Sequence, residues 1–253
     1  MEAYTEFALV YDELMNNIPY DEWADFTIRL LQKRGIKDTD IAEIGCGTGN
    51  FTLRLAEAGY SLMAVDNSEE MLSVAYEKAA ETDYPVFFVQ QDMRELELGR
   101  QFPCIVSFCD CVNYILKEDD LLEVFRRVRE SLQDGGLFFF DFNTRYKYET
   151  VLEDCVIAEN QDRVSFIWEN HFFKEEGINE YDVTFFIRED SAGEDMYRKF
   201  EEIHQQKAYT REIVEKLLNE AGLTVLEAFD EYSDRPASAK SERICLLAGK
   251  ETK

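Results

Sequence analysis

Short apolar runs alternate with amphipathic stretches through the first 144 residues, and a different rhythm follows. From Tyr20 to Gly35 the positions Trp23, Phe26, Ile28, Leu30 and Leu31 form one helical face, and Gly35 suits a C-terminal cap. A strand is expected at Asp40 to Ile44, a helix from about Asn50 to Ala58 with Gly59 just past its end, and a strand over 60–66. The segment opened by Ser68 reads as a capped helix with Met71, Leu72 and Ala75 facing inward. Strands are expected at 86–92 and 102–110. A helix follows over 119–133, with Leu121, Phe125, Val128 and Leu132 on one stripe and "DGG" (134–136) as its stop, then a strand at 137–142. This alternation predicts a Rossmann-like, doubly wound α/β sheet with helices on both faces.

After Thr144 the period drops to two. "RVSFIWENHFF" (163–173) and "YDVTFFIRE" (181–189) alternate, "DMYRKFEEIHQQ" (195–206) is a third partner, and "KEEG" and "SAGE" supply turns. Helical spacing returns from Thr210, with Ile213, Leu217 and Ala221 inward and Gly222 as the stop, before two final strands. The expected organisation is one domain made of 1–144 and 209–253, its sheet mostly parallel with an antiparallel last strand, carrying an antiparallel β insert at 145–208.

Composition narrows the partners. Fifty-three acidic residues against 27 basic ones leave a formal charge of −26 in 253 residues, a field that repels phosphate backbones and anionic lipid. Nucleic acid is therefore not the expected partner. The opening "MEAYTEFALVYDEL" lacks the basic region of a signal peptide, and no apolar run is long enough to cross a bilayer, so a cytoplasmic location is expected. The six cysteines show no paired CxxC spacing and the chain has two histidines, so no metal site is expected.

The stretch that carries chemistry is "IAEIGCGTGNF", 41–51. A strand, a glycine turn and a helix bring backbone N–H groups up to a ligand with no Cβ in the way. The dinucleotide pattern G-x-G-x-x-G needs its third glycine at position 50, which is Asn50; the glycine comes one residue early, at Gly49. The fit to a nicotinamide dinucleotide is incomplete. Asp66 ends the next strand, 21 residues after Gly45.

"EIGCGTG" resembles the first motif of the class I S-adenosylmethionine-dependent methyltransferases. "AVDNSEEML", the "DM" at 92–93, "FCDCVNYIL" and "LQDGGLFFFDFN" resemble the next four motifs, in order and at the expected spacing. The opening "FALVYDELM" and the β insert are similar to a branch found in Firmicutes-type bacteria. The resemblance implies S-adenosylmethionine as cofactor. It implies that Asp66 receives the ribose, that Asp92 accepts from the adenine amino group, and that the Met93 backbone and Met71 side chain flank the ring. Gly45, Cys46 and Gly47 would pass under the ribose and methionine portion, Glu43 would organise the turn or reach the amino group through water, and the Cys109 carbonyl would lie near the methionine amino group. Tyr11 and Trp23 would close over the cofactor.

Methyl transfer from a sulfonium needs alignment and dryness more than a shared catalytic residue. Asp110, Asn113 and Tyr114, past the fourth strand, are the candidates beside the methyl group, and His204 on the insert is a candidate base. The insert, with Trp168, His171, Phe172, Tyr181 and Phe185, is expected to act as a lid over the acceptor site. The acceptor is expected to be a small molecule and the protein a monomer or homodimer. An RNA or protein acceptor, or a non-catalytic cofactor sensor, are the alternatives.

Overall fold

The computed structural model describes residues 7–189 and 196–252. The "SAGE" turn and the opening six residues lie outside the described residues. The first described elements are a 3-10 turn, Phe7–Leu9, and a four-residue helix α1 (Tyr11–Leu14). Helix α2 (Tyr20–Lys33) has Asp21 and Glu22 in its first turn and Lys33 in its last, charges that suit the helix dipole at both ends. There follow β1 (Asp40–Ile44), α3 (Asn50–Glu57), β2 (Ser61–Asp66), α4 (Glu69–Ala80), β3 (Val86–Gln90) and β4 (Phe102–Ser107). Ser68 caps α4 as expected, its hydroxyl accepting from the Met71 N–H at 3.1 Å. Next come α5 (Glu118–Ser131) and β5 (Leu132–Asn143).

The seven-stranded sheet runs β10-β11-β5-β4-β1-β2-β3 once β10 (Leu223–Asp230) and β11 (Arg243–Lys250) are added. β11 alone lies antiparallel to both of its neighbours. Its core is split by the pleat of β5. Phe138, Phe140 and Phe142 pack with α5 and α7 (Arg211–Ala221) on one face, while Leu137 and Phe139 pack with α2 and α3 on the other. Each fully buried phenylalanine contributes roughly 1.5–3 kcal/mol.

Two features depart from the hydrophobic pattern. The "DGG" at 134–136 does not end a helix in isolation but lies inside β5, which already pairs at Leu132 with Phe102. The register between β4 and β5 shifts after that pair, and Gly135, at φ +77°, supplies the backbone for it. Among the described residues the insert holds four strands rather than three. After a short helix α6 (Arg145–Lys147) and a π turn (Tyr148–Leu152), β6 (Val156–Asn160) precedes β7 (Val164–Phe173), β8 (Ile178–Arg188) and β9 (Tyr197–Lys207) in an antiparallel meander. Every residue of β6 is exposed, so no alternation marks it; only pairing with β7 makes it a strand. One face of the meander, with Val164, Phe166, Tyr181, Val183 and Phe185, buries itself against Phe7, Val10 and Leu14 of the N-terminal segment.

Candidate active site

In a doubly wound sheet the ligand crevice opens at the C-terminal ends of the strands where the order reverses, here between β1 and β4. A cavity of about 460 Å³ lies at that point, within the size range of small-molecule sites. The glycine turn forms its floor. Gly45, Gly47 and Gly49 all have positive φ, at +75°, +54° and +77°. The N–H groups of Gly45 and Cys46 both donate to the Val65 carbonyl, at 2.7 and 3.0 Å, which ties the turn to the end of β2. No side chain but hydrogen fits at Gly45: a Cβ there would meet the Cys111 sulfur at 2.5 Å. At Gly47 the space where a Cβ would stand is open.

Asp66 closes the turn from the other side. Its Oδ2 accepts from the Gly47 N–H at 2.7 Å and its Oδ1 from the Ser68 N–H at 2.9 Å. Burial raises its pKa, and those N–H groups pull against that rise. Glu43, only 1% exposed, lies beneath the turn and accepts from the Thr52 hydroxyl at 2.6 Å. Burial pushes its carboxyl up to about 8, with the nearby Asp66 charge acting in the same direction and the Thr52 bond against it, so Glu43 is largely neutral at pH 7. Asp92 accepts from the Arg94 N–H at 2.9 Å and pairs with its guanidinium, which holds the carboxyl below its usual range.

The cavity brings together most of the residues expected at the cofactor: Tyr11, Glu43, Gly45, Cys46, Gly47, Asp66, Met71, Asp92, Met93 and Cys109 all line it, as does Tyr114. Burial raises the thiols of Cys46, Cys109 and Cys111, so all three are neutral rather than nucleophilic thiolates.

Four expected residues lie elsewhere. Trp23 does not face the cavity; its ring stacks on Tyr232 at 4.4 Å and receives the Arg243 guanidinium at 5.2 Å. Helical spacing shows that Trp23 points inward but not onto what. Asn113 is fully buried, with its amide donating to the carbonyls of Asn143 and Lys207 and accepting from the Asn143 N–H, a tie between β5 and β9 with no face toward an acceptor.

Asp110 is consumed by an ion-pair network. Its Oδ1 accepts from Arg243 at 2.6 Å, its Oδ2 from Gln206 at 2.6 Å, and its own N–H donates to Asp141 Oδ1 at 2.9 Å. Arg243 also pairs with Asp141, and Gln206 in turn accepts from the hydroxyls of Tyr148 and Tyr181. Both carboxylate oxygens of Asp110 are engaged in this network, and Asp110 is not among the residues that line the cavity. The network instead holds Cys109 and Asp110 in two consecutive left-handed conformations, at φ +57° and +53°, a strained turn that places Cys109 on the cavity wall. His204 is 4% exposed, outside the cavity lining, with Nε2 3.2 Å from Glu202 and its ring against Phe7 and Tyr114. It packs against Tyr114, which lines the cavity, without lining the cavity itself.

Residues that the motif pattern missed also line the cavity, notably Tyr20, Phe51, Phe108 and Cys111. Tyr20, the first residue of α2, has its hydroxyl directed at Tyr11. Phe51 and Phe108 stack at 3.8 Å, a contact between α3 and the end of β4 that no local period encodes.

The residues present fit an adenosyl cofactor. Carboxylates suited to hydroxyl and amino groups (Asp66, Asp92) alternate with polarizable or apolar walls (Met71, Met93, Ile115), and an uncluttered glycine backbone lies between them. Comparison with known proteins agrees. The methyltransferase domain family matches residues 41–136. A solved S-adenosylmethionine-dependent methyltransferase of Clostridium acetobutylicum is 33% identical and superimposes with a TM-score of 0.88, covering 99% of this chain and 100% of that one. The chain belongs to the S-adenosylmethionine-dependent methyltransferase family.

Within that family it is similar along its whole length to a candidate methyltransferase of Geobacillus sp., 37% identical over 98% of this chain and 100% of that one. A sugar N-methyltransferase of Streptoalloteichus sp. shares the fold at a TM-score of 0.77 and 17% identity, over 100% of this chain and 97% of its own. Among the described residues no helix is long and apolar enough to cross a membrane, and no cluster of His, Cys, Asp and Glu could hold a metal ion.

Proposed function

We propose that the chain methylates a small-molecule acceptor held beside the glycine turn. The observation that carries this reading is the shape of the cavity: about 460 Å³, with Tyr11, Tyr20 and Tyr114 among its walls, contributed by three separate elements. Such a site suits a cofactor and one modest acceptor better than a polymer strand, and a net charge of −26 opposes docking of a polyanion. The same fold, insert included, serves a sugar N-methyltransferase, which is support by analogy of architecture.

S-adenosylmethionine, when bound, supplies a methyl group already activated by the sulfonium charge. The chain's own residues then bind, orient and exclude water. Asp66 takes the ribose hydroxyls, Asp92 the adenine amino group, and Met71 with Met93 the faces of the ring. Gly45, Cys46 and Gly47 present backbone to the ribose and methionine portion, with Glu43 beneath them as a neutral brace and the Cys109 carbonyl toward the methionine amino group. Burial keeps the hydroxyls of Tyr11 and Tyr20 neutral, so they hydrogen-bond and do not act as anionic bases. Tyr114 is the sequence-predicted catalytic candidate that lines the cavity, and its role is to orient the acceptor. The β insert, through Tyr148, Tyr181 and Gln206, braces the Cys109–Asp110 turn and serves as the lid of the acceptor side.

The test follows the methyl group. Protein incubated with methyl-labelled S-adenosylmethionine and a bacterial extract, then separated into small-molecule, protein and RNA pools, is expected to place label in the small-molecule pool. Label confined to RNA or protein would refute the reading.

A further inference from the structure

The N-terminal segment is tied to the cofactor turn by a side chain that the motifs do not include. Helix α1 has four residues and no side-chain cap, too short to hold its own geometry, so its place depends on anchors. Tyr11 lines the cavity. Its neighbour Asp12 binds the base of the turn instead. Asp12 Oδ1 accepts from the Thr48 hydroxyl at 2.6 Å and from Asn50 Nδ2 at 2.8 Å, and Oδ2 accepts from Lys78 Nζ at 2.7 Å. One carboxylate thereby joins α1 to the glycine turn, to the first residue of α3 and to α4, partners 36, 38 and 66 residues away.

The other end of the segment is fixed to the insert. The Phe7 ring stacks on Phe185 at 4.8 Å, and the Phe7 N–H donates to Glu202 Oε1 at 3.1 Å. Tyr11 sits between these two anchors. Of the two, only Asp12 touches the turn itself, and its bonds are charge-assisted and directional, the kind that set position as well as energy. The Asp12 carboxylate does not need to meet the cofactor to act on it. It needs only to keep Tyr11 against the cavity and the turn in register with α1.

We propose that Asp12 is a positioning residue that sets how long the adenosyl ligand stays bound, acting through Tyr11; the proposal rests on the cofactor assignment of the cavity. Its test is the binding kinetics of S-adenosylhomocysteine, measured by stopped-flow fluorescence or surface plasmon resonance on the full chain. Asp12→Ala is expected to raise the dissociation rate tenfold or more, with the association rate within threefold of wild type. Lys78→Gln, at a residue outside the cavity, removes one of the three bonds to Asp12 together with the Lys78 bond to the Asn50 side chain, and is expected to raise it by a few-fold. Because Asp12 acts through Tyr11, Asp12→Ala combined with Tyr11→Ala is expected to dissociate no faster than the faster single variant.

Wild-type dissociation rates in both Asp12→Ala and Lys78→Gln would overturn the proposal, as would effects of Asp12→Ala and Tyr11→Ala that multiply. If Asp12→Ala does not fold, Asp12→Asn, which keeps the shape and loses the charge, takes its place with the same expected and refuting outcomes. A wild-type chain that binds no S-adenosylhomocysteine would overturn the cofactor reading and this one together, whereas wild-type rates in the variants overturn this one only.

Discussion

Replacing Glu43 by glutamine tests the electrostatics of the cofactor turn directly. Glu43 is 1% exposed, it receives the Thr52 hydroxyl, and Asp66 lies close enough to raise its pKa further. The carboxyl is thereby held neutral up to about pH 8, against an ordinary value of 4.5. A group with a raised pKa favours the folded state below its unfolded value, and that contribution is lost as pH rises through the folded value. The window is therefore pH 4.5 to about 8. At about 1.4 kcal/mol per pH unit, crossing that window removes roughly 5 kcal/mol of folding stability, an upper estimate because relaxation and water entry soften it.

Glutamine keeps the shape and can still accept from Thr52, but it does not ionise. Urea denaturation of the two proteins from pH 5 to 8.5 is the assay, read as the difference between them so that other titrating groups cancel. The wild-type midpoint is expected to fall relative to Glu43→Gln as pH rises, with most of the divergence above pH 6. Parallel curves across that range would refute the claim that Glu43 is buried as a neutral acid.

Two further predictions separate ligand contact from packing. Asp66→Ala is expected to weaken S-adenosylhomocysteine binding tenfold or more, about 1.4 kcal/mol or above for a charge-assisted contact, as measured by calorimetry; unchanged affinity would remove Asp66 from the site. Trp23→Ala removes the stacking on Tyr232 and the contact with Arg243, and is expected to cost roughly 3 kcal/mol in chemical denaturation while leaving ligand affinity within threefold. A large affinity loss without a stability loss would return Trp23 to the cofactor.

Local chemistry made much of this protein legible in one dimension. The strand–glycine turn–helix of 41–51 is written in its residues because positive φ at three closely spaced positions admits little but glycine. The helix stops at Gly35 and Gly222 and the Ser68 cap were readable for the same reason: each is set by neighbours within four residues. So was the doubly wound class, since two periods alternating along a chain leave few ways to bury both faces of a sheet. Asp66 could be placed because the fold class fixes where the second strand must end.

What sequence alone could not decide were contacts whose partners lie far apart along the chain. Exposed β6 has no pattern of its own and becomes a strand only by pairing with β7. Asp110 reads as a free acid beside the methyl site until Arg243, 133 residues later, and Gln206, 96 residues later, are seen to occupy both of its oxygens. Tyr11 and Tyr20 line the cavity while Trp23 stacks on Tyr232, a division that residue type and helical spacing do not give. Residue type and period therefore determined the fold class and the glycine turn, because both are local. Which polar groups remain available at the cavity was decided by tertiary structure, because a hydrogen-bonding group is free or spent according to neighbours that only folding supplies.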